Sequence, residues 1–217
     1  MGCFIFLANS CYNVIMTNLG RFITFEGADG CGKTTQLFLF RDYLISKGYE
    51  VVLTREPGAK GLGDRIRDIL LNYDGEVSDR CESFLFLADR AQNIDTIVVP
   101  AIEQGKIVLC DRHTDSTVAY QGYGRGLDIQ QINMLNNLAT KGIKPDLTFV
   151  FDVDVRTAMK RVGSSKDRME SAGMEFFNRV RNGYLDLAKL EPERIKVIDS
   201  TKSVEEVFEE VIRIFQL

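Results

Sequence analysis

Gly27-Ala28-Asp29-Gly30-Cys31-Gly32-Lys33-Thr34 stands between the apolar run Phe22 to Glu26 and a segment in which Leu37, Phe40 and Leu44 recur at helical spacing until Gly48 stops it. A G-x-x-x-x-G-K-[ST] phrase between a strand and a helix is a phosphate cradle. Gly27, Gly30 and Gly32 let the backbone N–H groups wrap a β-phosphate, with Ala28, Asp29, Cys31 and Thr35 completing the wall. Lys33 then reaches the β and γ oxygens, and Thr34 offers its hydroxyl to Mg²⁺. A glycine-rich turn can spell the same letters by chance, but not usually with a strand before it and a helix after it. The phrase implies a nucleoside triphosphate site and leaves the acceptor open.

Outward from this loop, β-branched and aromatic runs alternate with amphipathic stretches, the pattern of a parallel sheet flanked by helices. The expected strands are Phe22 to Glu26, Glu50 to Thr54, Lys106 to Cys110, Leu147 to Phe151 and Ile195 to Ile198, several of them continuous enough to be buried on both faces. Ser203 and Glu206 form a capping box before the stripe Val207, Val211, Ile214 and Phe215. Val162 to Gly173 is polar and charged, which fits a lid outside the core.

Two arginines close neighbouring strands: Arg55 in Thr54-Arg55-Glu56-Pro57-Gly58, and Arg112 in Asp111-Arg112-His113. Ligands of open α/β sheets bind outside the carboxyl ends of the strands, so the pair suggests a clamp for a second anionic group. Ordinary salt bridging accounts for either arginine alone better than for both. A phosphomonoester acceptor is already ionised, with a second pKa of about 6, and needs no general base. Asp111, ending an apolar strand, is a ligand for Mg²⁺ directly or through water.

The 217 residues, with 27 Lys plus Arg against 31 Asp plus Glu and 45% apolar side chains, describe an ordinary globular chain of one domain with an appended lid. A formal charge of −4 opposes a broad nucleic-acid-coating surface, so an anion must be met locally. One histidine, His113, excludes a metal cluster built on several histidines. Five scattered cysteines without a C-x-x-C pair indicate a reducing, cytoplasmic setting. Residues 1–20 read as an extension of the domain 21–217. They lack the basic start of a signal peptide and are too polar for a membrane anchor, and Met16 is an alternative start.

Phe25-Glu26-Gly27 with Asp29-Gly30 and Gly32-Lys33-Thr34-Thr35, Arg55-Glu56-Pro57-Gly58, Phe86 with Ala88-Asp89-Arg90-Ala91-Gln92, and Asp111-Arg112 followed by Ser116, Ala119, Tyr120, Gln121 and Gly122 together resemble thymidylate (dTMP) kinase. The resemblance runs from about Arg21 to the C-terminus, through Phe176-Phe177-Asn178-Arg179-Val180-Arg181 and Tyr184-Leu185. It implies a P-loop nucleoside monophosphate kinase fold: a five-stranded parallel sheet, helices on both sides, and a lid at about 161–173. It also implies transfer of the γ-phosphoryl group of ATP to dTMP with Mg²⁺, in a homodimer without nucleic-acid or membrane partners.

For single residues the resemblance implies that Phe86 stacks on thymine, Arg90 bonds a base carbonyl, and Ser116 and Gln121 contact the base. Arg55 and Arg112 would grip the dTMP phosphate. Asp29 would bind the 3′-hydroxyl or orient the acceptor, and Tyr120 would crowd the 2′ position. Gly30 stands where one subclass carries a catalytic arginine, so the lid of this chain would supply it from Arg161 or Arg168, with Lys166, Asp167 and Glu170 beside them. Glu56-Pro57 is expected to be an unusual, cis-type bond. Two other readings stay open: another kinase of the same fold, acting on a different monophosphate or on a nucleoside with Glu56 as base, and a nucleotide-dependent switch or inactive binding protein, although no Asn-Lys-x-Asp guanine signature occurs.

Overall fold

The computed structural model describes residues 20–162 and 173–215. Five strands, β1 (Arg21–Glu26), β2 (Val51–Arg55), β3 (Ile107–Asp111), β4 (Leu147–Asp152) and β5 (Ile195–Asp199), form one parallel sheet in the order β2-β3-β1-β4-β5. Each falls within one residue of the expected strand. Parallel neighbours need long crossovers, supplied by α1 (Lys33–Ser46), α2 (Leu62–Asn72), α3 (Asp79–Asn93), α4 (Val99–Glu103), α5 (Thr114–Thr117), α6 (Ile129–Thr140), α7 (Val155–Val162) and α8 (Met174–Leu190), with α9 (Val204–Phe215) closing the chain. The fold is the P-loop kinase type that the resemblance implied.

The central strands β1, β3 and β4 are buried on both faces, whereas the edge strands β2 and β5 keep exposed positions. On one face Ile23, Phe25, Phe149 and Phe151 meet Leu37, Phe40 and Leu44 of α1 and Val207 and Val211 of α9. Phe25 sits 5.5 Å from Phe149 and 5.8 Å from Phe151, ring centre to ring centre. Each such fully buried side chain contributes about 1.5–3 kcal/mol relative to exposure. On the other face Val150 and Ile195 pack beneath Phe177, Val180 and Tyr184 of α8, and Phe22 and Val108 pack beneath Ile94 and Val98.

Strand alternation therefore sends Ile23 and Phe25 to one side and Phe22, Thr24 and Glu26 to the other. The Thr24 and Thr148 hydroxyls satisfy each other at 2.7 Å inside that second layer. Glu26, fully buried one step further along, needs partners of its own. Two wide, π-type turns, Ile94–Val98 and Val118–Gly124, extend α3 and α5 and were not legible as such in the periodicity. The Ser203 capping box is present: Glu206 N donates to Ser203 Oγ at 3.2 Å, and Ser203 N donates to Glu206 Oε2 at 3.0 Å. Gly48, in the left-handed region at φ 87°, ends α1. Nearly all of the extension 1–20, and Lys166, Asp167, Arg168 and Glu170 of the expected lid, lie outside the described residues. Among the described residues no helix is long and apolar enough to cross a membrane.

Candidate active site

The loop leaving β1 turns on Gly27, whose φ of 134° would force a Cβ to within 2.7 Å of the Phe151 carbonyl oxygen. Gly32, at φ 92°, caps α1, so the first N–H groups of that helix face the loop with the positive end of its dipole. Lys33 is almost fully buried, its Nζ donating to Asp29 Oδ1 at 3.3 Å. Thr34 Oγ1 donates to Asp111 Oδ2 at 3.0 Å across the sheet. Asp111 Oδ1 is buried, 3.9 Å from Lys33 Nζ, and accepts no hydrogen bond among the described residues. A hydroxyl beside a carboxylate with a spare oxygen, next to a phosphate loop, is an oxygen donor set that suits Mg²⁺, whose other positions are usually filled by phosphates and water.

Pairing of β1 with β3 brings the Asp111-Arg112-His113 turn against the P-loop, and Arg112 N donates to Phe25 O at 3.0 Å. Arg112 occupies a left-handed conformation, φ 71°, which is uncommon for a residue with a side chain and occurs where the surroundings hold it in place. Its Nη2 donates to Asp29 Oδ1 at 2.8 Å and Tyr120 OH at 3.1 Å, and its Nη1 to Ser116 Oγ and Tyr184 OH, both at 3.2 Å. Burial opposes ionisation of Asp29, but Arg112 and Lys33 outweigh it and hold the carboxyl well below the usual range. Burial likewise works against the charge on Arg112, and Asp29 foremost raises its pKa further.

Beside Arg112 opens a cleft with about 570 Å³ of empty space, part of it open to solvent. Seven of the eight residues expected on the acceptor side line it: Asp29, Phe86, Arg90, Arg112, Ser116, Tyr120 and Gln121. Arg55 stands apart, with its side chain half-exposed, Nε donating to Gly58 O at 2.8 Å and Nη2 3.8 Å from Asp64. The cleft instead takes Arg67 from α2, whose Nη1 donates to the Pro57 carbonyl at 2.9 Å. Arg67 belongs to no phrase read in the sequence. Its signal is an arginine on the stripe Gly63, Arg67, Leu70, Leu71, where helical spacing calls for an apolar residue.

Arg90 is buried and heavily committed. Its Nε donates to Glu56 Oε2 at 2.8 Å, Nη1 to Thr117 Oγ1 at 2.8 Å and Asn136 Oδ1 at 2.6 Å, and Nη2 to the His113 carbonyl at 2.9 Å. Of the five donors of a guanidinium, these contacts with described residues leave one for a base. Glu56 Oε1 also accepts from Asn93 Nδ2 at 2.9 Å and meets His113 Nδ1 at 3.0 Å. Burial pushes the Glu56 carboxyl up, but Arg90 and then His113 prevail, and it settles at about 2. The Glu56-Pro57 bond is cis. Gln121 donates to buried Glu82 at 3.0 Å, and Ser116 donates to Glu26 at 2.6 Å. Arg161, the one described lid candidate, donates to the Ser200 carbonyl at 3.2 Å, and the Ser200 hydroxyl donates to Cys31 O in the P-loop.

The class is therefore that of a P-loop phosphotransferase with a second, arginine-lined anion cleft beside the triphosphate loop. A model of the thymidylate kinase family matches residues 25–211. A thymidylate kinase of Kosmotoga olearia is 48% identical over 198 residues, covering 90% of this chain and 95% of its own. One from Desulfovibrio desulfuricans is 47% identical over 196 residues, covering 86% and 90%. The crystal structure of thymidylate kinase from Ehrlichia chaffeensis superposes with a TM-score of 0.77 at 41% identity, covering 91% of this chain and 99% of that one. The chain belongs to the thymidylate kinase family.

Removing one partner of a buried ion pair costs about 3–5 kcal/mol. Glu56→Gln is expected to lower unfolding stability by about that amount at pH 7, read from urea midpoints. Because the native carboxyl titrates below its ordinary 4.5, its contribution is complete above pH 4.5 and fades toward pH 2. The gap between the two proteins should narrow as pH falls from 5 to 3. A constant gap would show that the charge on Glu56 carries none of it.

Proposed function

We propose that the chain transfers the γ-phosphoryl group of ATP to the 5′-phosphate of dTMP, giving ADP and dTDP. The observation that carries this reading is the convergence of Arg112, Arg67 and the P-loop on one cleft that also offers Phe86 and Gln121. At neutral pH the acceptor phosphate is largely dianionic, so its oxygen attacks Pγ without loss of a proton, and the bond from Pγ to the β-bridging oxygen breaks. Catalysis then consists of aligning two anions and offsetting their charge. Arg112 and Arg67 hold the acceptor phosphate, Lys33 follows the β and γ oxygens, and Asp29 keeps Arg112 turned toward the loop. Thr34 and Asp111 would hold Mg²⁺, which would supply positive charge against the charge that develops on the phosphates.

Phe86 offers a face for thymine, Gln121 and the spare Arg90 donor meet its polar edge, and Tyr120 disfavours a 2′-hydroxyl. Arg55 acts on the acceptor through the Gly58 loop rather than on the phosphate itself. Gly30 carries no charge, which leaves Arg161 or Arg168 to meet the transition state. Glu56 is unsuited as the base of a nucleoside kinase, because it is buried, engaged by Arg90, Asn93 and His113, and held at about 2.

The working protein is a cytoplasmic homodimer. Supporting the dimer, Phe84 of α3 and Met134 and Leu138 of α6 are 58%, 66% and 75% exposed on helices that pack side by side. Sedimentation should give a dimer at micromolar concentration, and a stable monomer would remove that part of the reading.

Three outcomes test the rest. ADP release with ATP and Mg²⁺ should be strongest with dTMP among dTMP, dUMP, dCMP, AMP, GMP and thymidine, with dUMP about 10- to 200-fold slower because a methyl is all that distinguishes it. A preference for thymidine, or silence across the panel, would overturn the reading. Arg161→Ala or Arg168→Ala should lower kcat by about 10³ or more. Near-normal turnover in both variants would remove the lid assignment.

A further inference from the structure

Behind Arg112, on the side away from the P-loop, three oxygens form a closed triangle. Ser116 Oγ lies 2.6 Å from Glu26 Oε2, Tyr184 OH 3.0 Å from the same oxygen, and the two hydroxyls 2.8 Å from each other. The other carboxylate oxygen of Glu26 accepts from His113 N at 2.7 Å. Glu26 and Tyr184 are buried. With Glu26 ionised, both hydroxyls donate to Oε2 and turn lone pairs toward Arg112 Nη1, which donates to each at 3.2 Å. With Glu26 protonated, the three O–H groups run head to tail around the triangle, each oxygen donating once and accepting once, and both hydroxyls still receive Arg112. The cluster therefore holds either charge state without losing a hydrogen bond, so the usual penalty for rearranging a buried network is absent.

We propose that Glu26, Ser116 and Tyr184 form a proton-storing site behind the phosphate clamp, and that it takes up one proton from solvent when a phosphomonoester dianion binds Arg112. This rests on the reading of Arg112 as the acceptor clamp. The dianion adds negative charge on the far side of one guanidinium from a buried carboxylate, which favours the neutral form of that carboxylate. Protonation of Glu26 neutralises one of the carboxylates that draw on the charge of Arg112 and leaves Asp29 foremost among those that share it with the ligand. The groups facing Glu26 are Arg112 from the β3 turn, Asp115 of α5, Tyr184 of α8 and Cys110 of β3, with Asp29 and Tyr120 beyond Arg112. Burial, then Asp115, push its carboxyl up, while the Ser116 bond, Arg112 and His113 N pull it back, leaving it at about 7. At pH 8 the free protein is thus mostly ionised at this site and ready to accept a proton.

Calorimetric titration of the full chain with dTMP at pH 8, in three buffers of different ionisation heat, reads the uptake directly, because dTMP is already a dianion there. We expect roughly 0.5–0.9 proton per dTMP bound. Glu26→Gln, with folding checked by circular dichroism, should bring this below about 0.2 while dTMP still binds. If that variant fails to fold, Tyr184→Phe serves instead. It removes one donor to the carboxylate, so Glu26 is protonated before dTMP arrives, and uptake should fall below half of the wild-type value. No uptake by the wild type on binding dTMP, or unchanged uptake in a folded variant, overturns the proposal. Failure of the wild type to bind dTMP at all overturns the dTMP reading instead.

Discussion

The buried pair of Arg90 and Glu56 is the constraint on which the walls of the site depend. A guanidinium taken fully out of water is tolerated only when paired and hydrogen-bonded, and Arg90 meets that demand by reaching four separate pieces of chain: the end of β2, the turn after β3, α5 and α6. Glu56 answers with Asn93 and His113, so the loop after β2 and the turn after β3 share one charge centre. A residue that a sequence phrase suggests as a base reader is thus first of all the post on which the cleft hangs. Among the described residues one of its five donors is left over, enough for a further contact without disturbing the first four.

Around that post, charge is arranged so that a protein of net negative charge presents cations to anions. Lys33 and Arg112 share Asp29, which keeps both arms extended toward the loop without burying either unpaired. Each shared contact lowers the desolvation cost of the cations but also weakens their field. Glu26 adds a second carboxylate on the other side of Arg112, one that hydroxyls rather than a direct ion pair connect to it. Direct pairing would hold Arg112 against an incoming phosphate, whereas the hydroxyl relay fixes its direction and leaves its charge less cancelled.

Much of this was legible in the sequence because period-two and period-3.6 patterns are direct imprints of burial. The five strands came within a residue, since β1, β3 and β4 are apolar on both faces and a run of Ile, Val, Leu and Phe has few other meanings. The cleft residues Phe86, Arg90, Arg112 and Tyr120 lie in ordered phrases and came together as expected. Arg55 and Arg67 show where the reading reached its limit. A strand end fixes where a Cα lies, not which way a long side chain turns, and Gly58 O and Asp64 draw Arg55 outward. Arg67 was hidden in a helix as one charge among several, visible only once the buried stripe of α2 is known. The wide turn Val118–Gly124 was equally invisible, because π-type turns leave no period of their own.

The end of β1 explains how the P-loop and the arginine-lined cleft lie so close without merging. Alternation turns Phe25 into the layer under α1 and Glu26 into the layer under α8, and the next residue, Gly27, leaves the sheet as the triphosphate loop. The neighbouring strand β3 ends in register with it, so Asp111 falls on the Thr34 side and Arg112, through its left-handed backbone, crosses to the Glu26 side. One pair of adjacent strand ends thereby sends its carboxylate to the Thr34 hydroxyl and its guanidinium to the cleft. Asp29, bonded to both Lys33 and Arg112, is the seam between the two halves. A side chain at Gly27 or an ordinary right-handed turn at Arg112 would break that division at its origin, since either would displace the loop or the clamp from the strand end that positions both.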